Sequence, residues 1–244
     1  MGLKVNIEKS VTTAAKTSDH VLQVACMFGL GIDQEREEVI VPPTEVPVPS
    51  GEIVFITGAS GSGKSTILKL IHDDLLNDPS INVINFNNLG NEHSENKEHC
   101  IIDGFGDAEL SDVLRWLSIA GLNDAFVMLR KPCELSDGQR YRLQLAKAIG
   151  EAEYIKRKGK MTVVIADEFG ATLDRVTAKV ISKNLQRWVK NTRKQNLEND
   201  ACKGVCVIVA TTHDDLMEAL EPSVLIDKEL GGKINVYVQN STSN

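Results

Sequence analysis

One stretch limits what this chain can fold into more than any other. Residues 52–57 (EIVFIT) form an apolar, β-prone run that passes directly into Gly58-Ala59-Ser60-Gly61-Ser62-Gly63-Lys64-Ser65. An amphipathic segment follows at about 65–76, with Ile67, Leu68, Leu70, Ile71 and Leu75 on its apolar side, stopped by Asn77-Asp78-Pro79. Strand, glycine-rich loop and helix in that order match the pattern GxxxxGK[ST] in the context its mechanism needs. The glycines let the backbone aim its N–H groups at one point, and the helix start adds positive potential there. The expected phosphate contacts are Gly58, Ser60, Gly61, Ser62, Gly63, Lys64, Ser65 and Thr66. Lys64 would bring a charge to the outer phosphates, and the Ser65 hydroxyl would bind Mg²⁺. The loop alone implies a nucleotide and says nothing of its use.

A strand that is apolar throughout needs neighbours on both faces. Two more such runs occur, 161–166 (MTVVIA) and 205–212 (VCVIVATT), separated by helical stretches. This is the mark of an α/β chain with a parallel core sheet flanked by helices. The first run ends in Asp167 and Glu168, the second in His213. Strand ends on one edge of a parallel sheet converge on the ligand crevice, so Lys64, Asp167, Glu168 and His213 are expected around one phosphate. Asp167 is placed to hold Mg²⁺ through water, and Glu168 to address a water in line with the terminal phosphate. Each also has a plainer reading, a polar strand boundary or an incidental strand-end histidine.

The whole chain, 1–244, reads as a single domain. Residues 1–50 read as an N-terminal antiparallel β region, with HVLQVACMF, EEVIVPP and TEVPVPSG as short strands and turns. Residues 80–100 read as a polar surface excursion, about 104–150 as a short helical lobe, and the tail as strand, turn at 229–233, strand. A net charge of −7 disfavours nucleic acid and anionic membranes as general partners. The basic run 183–194 reads as a solvated helix face or a local patch. Five scattered cysteines without CxxC spacing point to a reducing compartment. No apolar run approaches a membrane span, so the chain is expected to be cytoplasmic, without direct membrane insertion.

Leu135-Ser136-Asp137-Gly138-Gln139 opens the amphipathic run RYRLQLAKAIG. Locally, Ser136 and Gln139 form an S-x-x-Q capping box. The longer segment LSDGQRYRLQLAKAI is similar to the LSGGQ signature of ABC ATPases. ADEFGATLD resembles their magnesium-site, catalytic-glutamate and D-loop run, and ATTH their switch-histidine strand. With GASGSGKST, these motifs appear in family order over about 51–215. The resemblance implies a P-loop NTPase of the ABC type and Mg²⁺-dependent ATP hydrolysis, with Glu168 and His213 catalytic and Ser65 and Asp167 as metal ligands. It also implies an ATP-dependent homodimer in which Ser136, Asp137, Gly138 and Gln139 of one chain face the nucleotide of the other. Asp174 would end the D-loop.

The chain departs from the family pattern in two places. Asp137 replaces the usual middle glycine, and no glutamine lies between Lys64 and Leu135, where the family has one contacting Mg²⁺ after a strand. Asp103, after the strand-like Cys100-Ile101-Ile102, is one candidate for that metal position; it also reads as a turn former before Gly104. Asp107 is the second choice. Phe28 is the aromatic best placed to stack on adenine, with a core role as the alternative. The run IIDGFGD…ELSDGQRYR…ADEFGATLDRVTAKV looks like a soluble archaeal, bacterial and phage group associated with GNAT-type acyltransferases. That likeness implies a soluble acyltransferase or nucleic-acid-processing partner. The alternative is the nucleotide-binding subunit of an ABC membrane transporter.

Overall fold

The computed structural model describes residues 3–13, 18–29, 36–89, 99–198 and 204–239. Two antiparallel strands, β1 (Leu3–Thr13) and β2 (Arg36–Val48), flank a helix, α1 (Asp19–Phe28). There follow β3 (Ile53–Thr57), α2 (Lys64–Leu75) and β4 (Ile81–Asn85). A helical lobe comes next, built from α3 (Leu110–Ile119), α4 (Ala125–Met128) and α5 (Asp137–Arg157). The chain then returns to the sheet through β5 (Met161–Ala166), α6 (Arg175–Glu198), β6 (Val205–Ala210), α7 (Met217–Leu220), β7 (Val224–Lys228) and β8 (Ile234–Val238).

The main sheet runs β4-β5-β6-β3-β7-β8, parallel except for the last pair. Its central strands are almost wholly apolar because each face meets a different core. Ile53, Phe55, Val164, Val207 and Val209 join the cluster with α3, α5 and α6. Val54, Ile56, Val163, Ile165 and Ile208 join the cluster with α2, β1 and β2. The expected α/β class, N-terminal antiparallel strands and flanked parallel sheet are all present, as is the 229–233 turn between the last two strands.

Three local expectations fail. The run HVLQVACMF is helix α1, not strand. Ser18 starts it by accepting a bond from Val21 N at 3.3 Å, and Gly29 ends it in the left-handed conformation (φ 64°). Second, the stretch read as surface excursion begins with β4, the edge strand beside β5; its residues 90–98 lie outside those described. Third, Cys100-Ile101-Ile102 is not a strand. Residues 101–103 form a single 3₁₀ turn, tied by Ile101 N to the Arg130 carbonyl at 2.9 Å, with Ile101 buried in the lobe core.

The lobe is fixed to the sheet chiefly through α5. Gly150 in mid-helix lets Trp116 of α3 lie flat on it; a Cβ there would stand only 2.8 Å from the indole ring. One turn on, the Glu153 carboxylate accepts bonds from Arg115 (2.7 Å), Trp116 Nε1 (3.0 Å) and Trp188 Nε1 of α6 (2.8 Å). Burial pushes the Glu153 carboxyl up, but Arg115 and the two indoles outweigh it and the net shift is downward. The same helix therefore carries both the lobe's anchor and, at its N-terminus, Ser136.

Candidate nucleotide site

The phosphate loop leaves β3 at Thr57, whose hydroxyl donates to the Asp214 carboxylate just past β6, stitching two strand ends together. Gly58 adopts φ 141° and lies so close to β7 that a Cβ would collide with the Lys228 carbonyl, so only glycine fits. Gly63 (φ 103°) caps α2 without any side-chain bond. The first intrahelical bond is Ile67 N to the Gly63 carbonyl, which leaves the N–H groups of Lys64, Ser65 and Thr66 for a ligand. Lys64, only 9% exposed, folds back over the loop, its ammonium 2.7 and 2.8 Å from the carbonyls of Gly58 and Ala59. The buried Ser62 hydroxyl has no hydrogen-bond partner among the described residues.

Across the crevice, Asp167 and Glu168 follow β5. The Asp167 peptide is held on both sides by one side chain: Asn87 Oδ1 accepts from Asp167 N at 2.9 Å, and Asn87 Nδ2 donates to the Asp167 carbonyl at 3.3 Å. Asp167 Oδ1 accepts from Glu168 N at 2.9 Å. Glu168 itself is left-handed (φ 50°), a conformation that costs a non-glycine residue about 1–3 kcal/mol and persists only when its surroundings enforce it. They do. Phe169 is buried and its N–H bonds the Ala210 carbonyl at 3.0 Å, while Gly170 N donates to the Tyr141 hydroxyl at 2.9 Å. Tyr141 belongs to α5 and is buried between Phe86 (ring centroids 4.9 Å apart) and Phe169 (6.3 Å). Burial raises its phenol pKa well above the usual value, so it stays a neutral O–H.

A cavity of about 480 Å³ lies between these two walls. Ser60, Gly61, Gly63, Lys64, Ser65 and Thr66 line one side, Asp167 and Glu168 another, and Thr211 and Thr212 at the end of β6 a third. His213 follows directly; it is half-buried, its N–H donates to Thr211 Oγ1 at 3.2 Å, and it is not among the cavity's lining residues. The donor set suits Mg²⁺, a hard ion that keeps much of its water and takes few protein ligands besides phosphate oxygens. Of the hydroxyls and carboxylates that line the cavity, Ser65 and Asp167 are the pair the sequence pattern marks for that ion. Among the described residues no cluster of three or more His, Cys, Asp or Glu could hold a metal alone.

The signature residues do not line this cavity. Ser136 caps α5 in a full capping box: its Oγ accepts from Gln139 N (3.3 Å) and its own N–H donates to Gln139 Oε1 (3.0 Å). Asp137 is 86% exposed and its carboxylate is 3.6 Å from Arg140. Gly138 sits against the segment leading to Asp174, where a Cβ would stand 3.6 Å from Leu173 Cδ2. Asp174 caps α6 through Thr177 N at 2.9 Å, and the bond from the Thr177 side chain lowers its pKa.

Neither Asp103 nor Phe28 is among the residues that line this cavity. Asp103 closes the 3₁₀ turn described above and is not in the cavity wall; Asp107 instead lines a separate cavity of about 570 Å³ in the lobe. Phe28, 74% exposed, ends α1. Sequence reading missed Asn87, Tyr141 and Asp214. The asparagine just past the partly apolar INVI stretch and the aromatic in the helix after the signature do not by themselves say what either residue meets.

The family model described as "ABC transporter" matches residues 43–99. The sulfate/thiosulfate import ATP-binding protein CysA of Thermosynechococcus vestitus is 27% identical, over 81% of this chain and 61% of that protein. The phosphonates import ATP-binding protein PhnC of Agrobacterium fabrum is 27% identical, over 69% of this chain and 66% of that protein. The chain thus spans 61–66% of these relatives' length. In fold it is similar to the dimeric structure of MJ0796, a bacterial ABC transporter cassette, with a TM-score of 0.59, 17% identity and coverage of 98% of this chain and 100% of that one. A post-hydrolysis state of the same cassette, bound to ADP and Pi, gives a TM-score of 0.55 at 17% identity, with the same coverage of both chains. A glycine cradle and a carboxylate turn face each other across a parallel sheet edge, and by these matches the chain is similar to ATP-binding cassettes in part of its sequence and in its fold.

Proposed function

We propose that this chain binds ATP with Mg²⁺ and hydrolyses it as one half of a head-to-tail pair. One observation carries the reading: cradle and carboxylates share one cavity, while Ser136 and its helix tip lie outside it, available to another copy. Lys64 leaves the loop carbonyls and bonds the outer phosphates, and the α2 N–H groups take the remaining oxygens. Ser65 and Asp167 hold Mg²⁺, which when bound offsets charge on the phosphate oxygens. Glu168 orients or deprotonates the attacking water. His213 hydrogen-bonds the terminal phosphate and keeps that geometry. Ser136 and Gly138 of a second copy approach the same phosphate with hydroxyl and backbone N–H, the part that a trans-acting donor plays elsewhere. Asp174 holds the segment that adjoins Gly138 and so links the two sites.

The pair most resembles the nucleotide-binding subunits of membrane transporters, since the similar proteins bear names such as import or lipoprotein-releasing ATP-binding protein. Among the described residues no helix is long and apolar enough to cross a membrane. The second reading, a soluble cassette working with an acyltransferase or a nucleic-acid-processing partner, is favoured by the absence of any glutamine between Lys64 and Leu135. Co-purification separates the two: a permease or a soluble partner comes down with the chain.

Glu168→Gln tests the core of the reading. Loss of a positioned general base lowers turnover by about 10²–10⁴, while ATP binding survives and the dimer accumulates. Light scattering with MgATP that shows monomer alone sinks the sandwich.

A further inference from the structure

We infer that Asn87 is a positioning residue for the metal-site carboxylate: its side-chain amide clamps the Asp167 peptide and so sets where the Asp167 and Glu168 carboxylates stand. The inference rests on the reading of Asp167 and Glu168 given above. The ladder between β4 and β5 has its last pair at Asn85 and Ile165. Two residues on, Asn87 continues it with a side chain. Its amide has the same donor and acceptor as a peptide unit, and both are used on Asp167, at 2.9 and 3.3 Å. A side chain with only an acceptor, or with neither group, could not make this pair.

The clamp itself is anchored. Asn87 N donates to Asn85 Oδ1 at 3.1 Å, and the neighbouring Phe86 is buried edge-on against Tyr141. Asn87 is nevertheless exposed on the surface. It fills no core space, so truncating it leaves packing intact. What changes is the backbone it holds: Asp167 Oδ1 is already committed to Glu168 N, and Glu168 is already left-handed. A small shift of this peptide therefore moves both carboxylates together. Residues that orient a metal ligand are typically worth about 10–100-fold in metal affinity or activity.

The test compares wild type with N87A and N87D. Binding of a fluorescent ATP analogue is measured in EDTA and across a Mg²⁺ titration, alongside steady-state turnover and melting temperature. In N87A, binding in EDTA should stay within about twofold of wild type. The Mg²⁺ concentration at half-effect should rise about tenfold, and kcat should fall about tenfold with little change in KM for ATP. N87D keeps the acceptor for Asp167 N and loses the donor, so its Mg²⁺ half-point should lie between the two. If N87A leaves the Mg²⁺ half-point and kcat unchanged, the inference is overturned. It is equally overturned if EDTA binding and melting temperature collapse together, since Asn87 would then be a structural cap. Wild-type protein that binds no ATP at all would instead remove the parent reading.

Discussion

Two helix N-termini in this molecule are proposed to meet the same phosphate, and they are built in opposite ways. Helix α2 starts at Gly63 with no side-chain cap, beside a lysine whose ammonium rests on loop carbonyls. Helix α5 starts at Ser136 with a closed capping box, both ends of which are already satisfied. The first is a standing anion site, with its N–H groups unpaired until a ligand arrives. The second is a self-sufficient helix start that can give a phosphate its hydroxyl proton, because Ser136 Oγ only accepts within the box. The difference predicts a division of labour: α2 supplies affinity, and α5 supplies a smaller term that matters when two copies close.

Lys64→Ala is the hardest blow to that division. Charge-assisted bonds contribute about 1.5–3 kcal/mol each, and Lys64 has more than one to give, so ATP affinity should fall by about 10²-fold or more. Melting temperature should change little, since the ammonium's two hydrogen bonds among the described residues go to the loop's own carbonyls. Equilibrium binding of a fluorescent nucleotide measures this; wild-type affinity in the variant would mean α2 is not the affinity site.

Ser136→Ala should act differently in kind. Losing one neutral donor is worth about 1 kcal/mol, giving roughly a five- to tenfold fall in turnover with monomer nucleotide binding unchanged. Losing the cap costs α5 a further ~1 kcal/mol of stability, which calorimetry would register separately. If nucleotide affinity of the monomer falls as much as turnover, α5 serves its own chain's site and the head-to-tail arrangement is wrong.

The same contrast explains what the sequence could and could not disclose. The α2 cradle is contiguous: strand, glycines, lysine and helix occupy residues 52–76, and each feature is local chemistry. The strand-end residues Asp167 and Glu168 were legible because full burial on both faces leaves an unbroken apolar run. Edge strand β4 has the sequence INVIN, only partly buried, and carried no such signal. The three apolar letters before Asp103 suggest a strand, but Ile101 plugs the lobe core and residues 101–103 form a 3₁₀ turn. Val, Cys and Phe make the α1 segment β-prone in sequence, but its cap at Ser18 and stop at Gly29 make it a helix. Asn87 meets Asp167 across 80 residues, and Tyr141 meets Gly170 across 29. No local pattern announces such pairs.

The smallest expected effect concerns the residue by which α5 departs most from the LSGGQ pattern it resembles. Asp137 lies in the first turn of α5, where a carboxylate favours the helix by about 0.3–1 kcal/mol, and it points away into solvent near Arg140. A phosphate approaching the same helix tip would meet an anion of its own sign, only partly offset by Arg140. Asp137→Gly should therefore lower the ATP concentration needed for dimerisation by about two- to fourfold at low salt, even as it weakens the helix. Screening makes the prediction sharper: the Debye length falls from about 30 Å at 0.01 M to 3 Å at 1 M, so the gain should vanish as salt rises. Light scattering of the Glu168→Gln and Asp137→Gly double variant across a salt series would read this. A salt-independent change would trace the effect to helix stability, and Asp137 would then be a capping residue with no bearing on how two copies close.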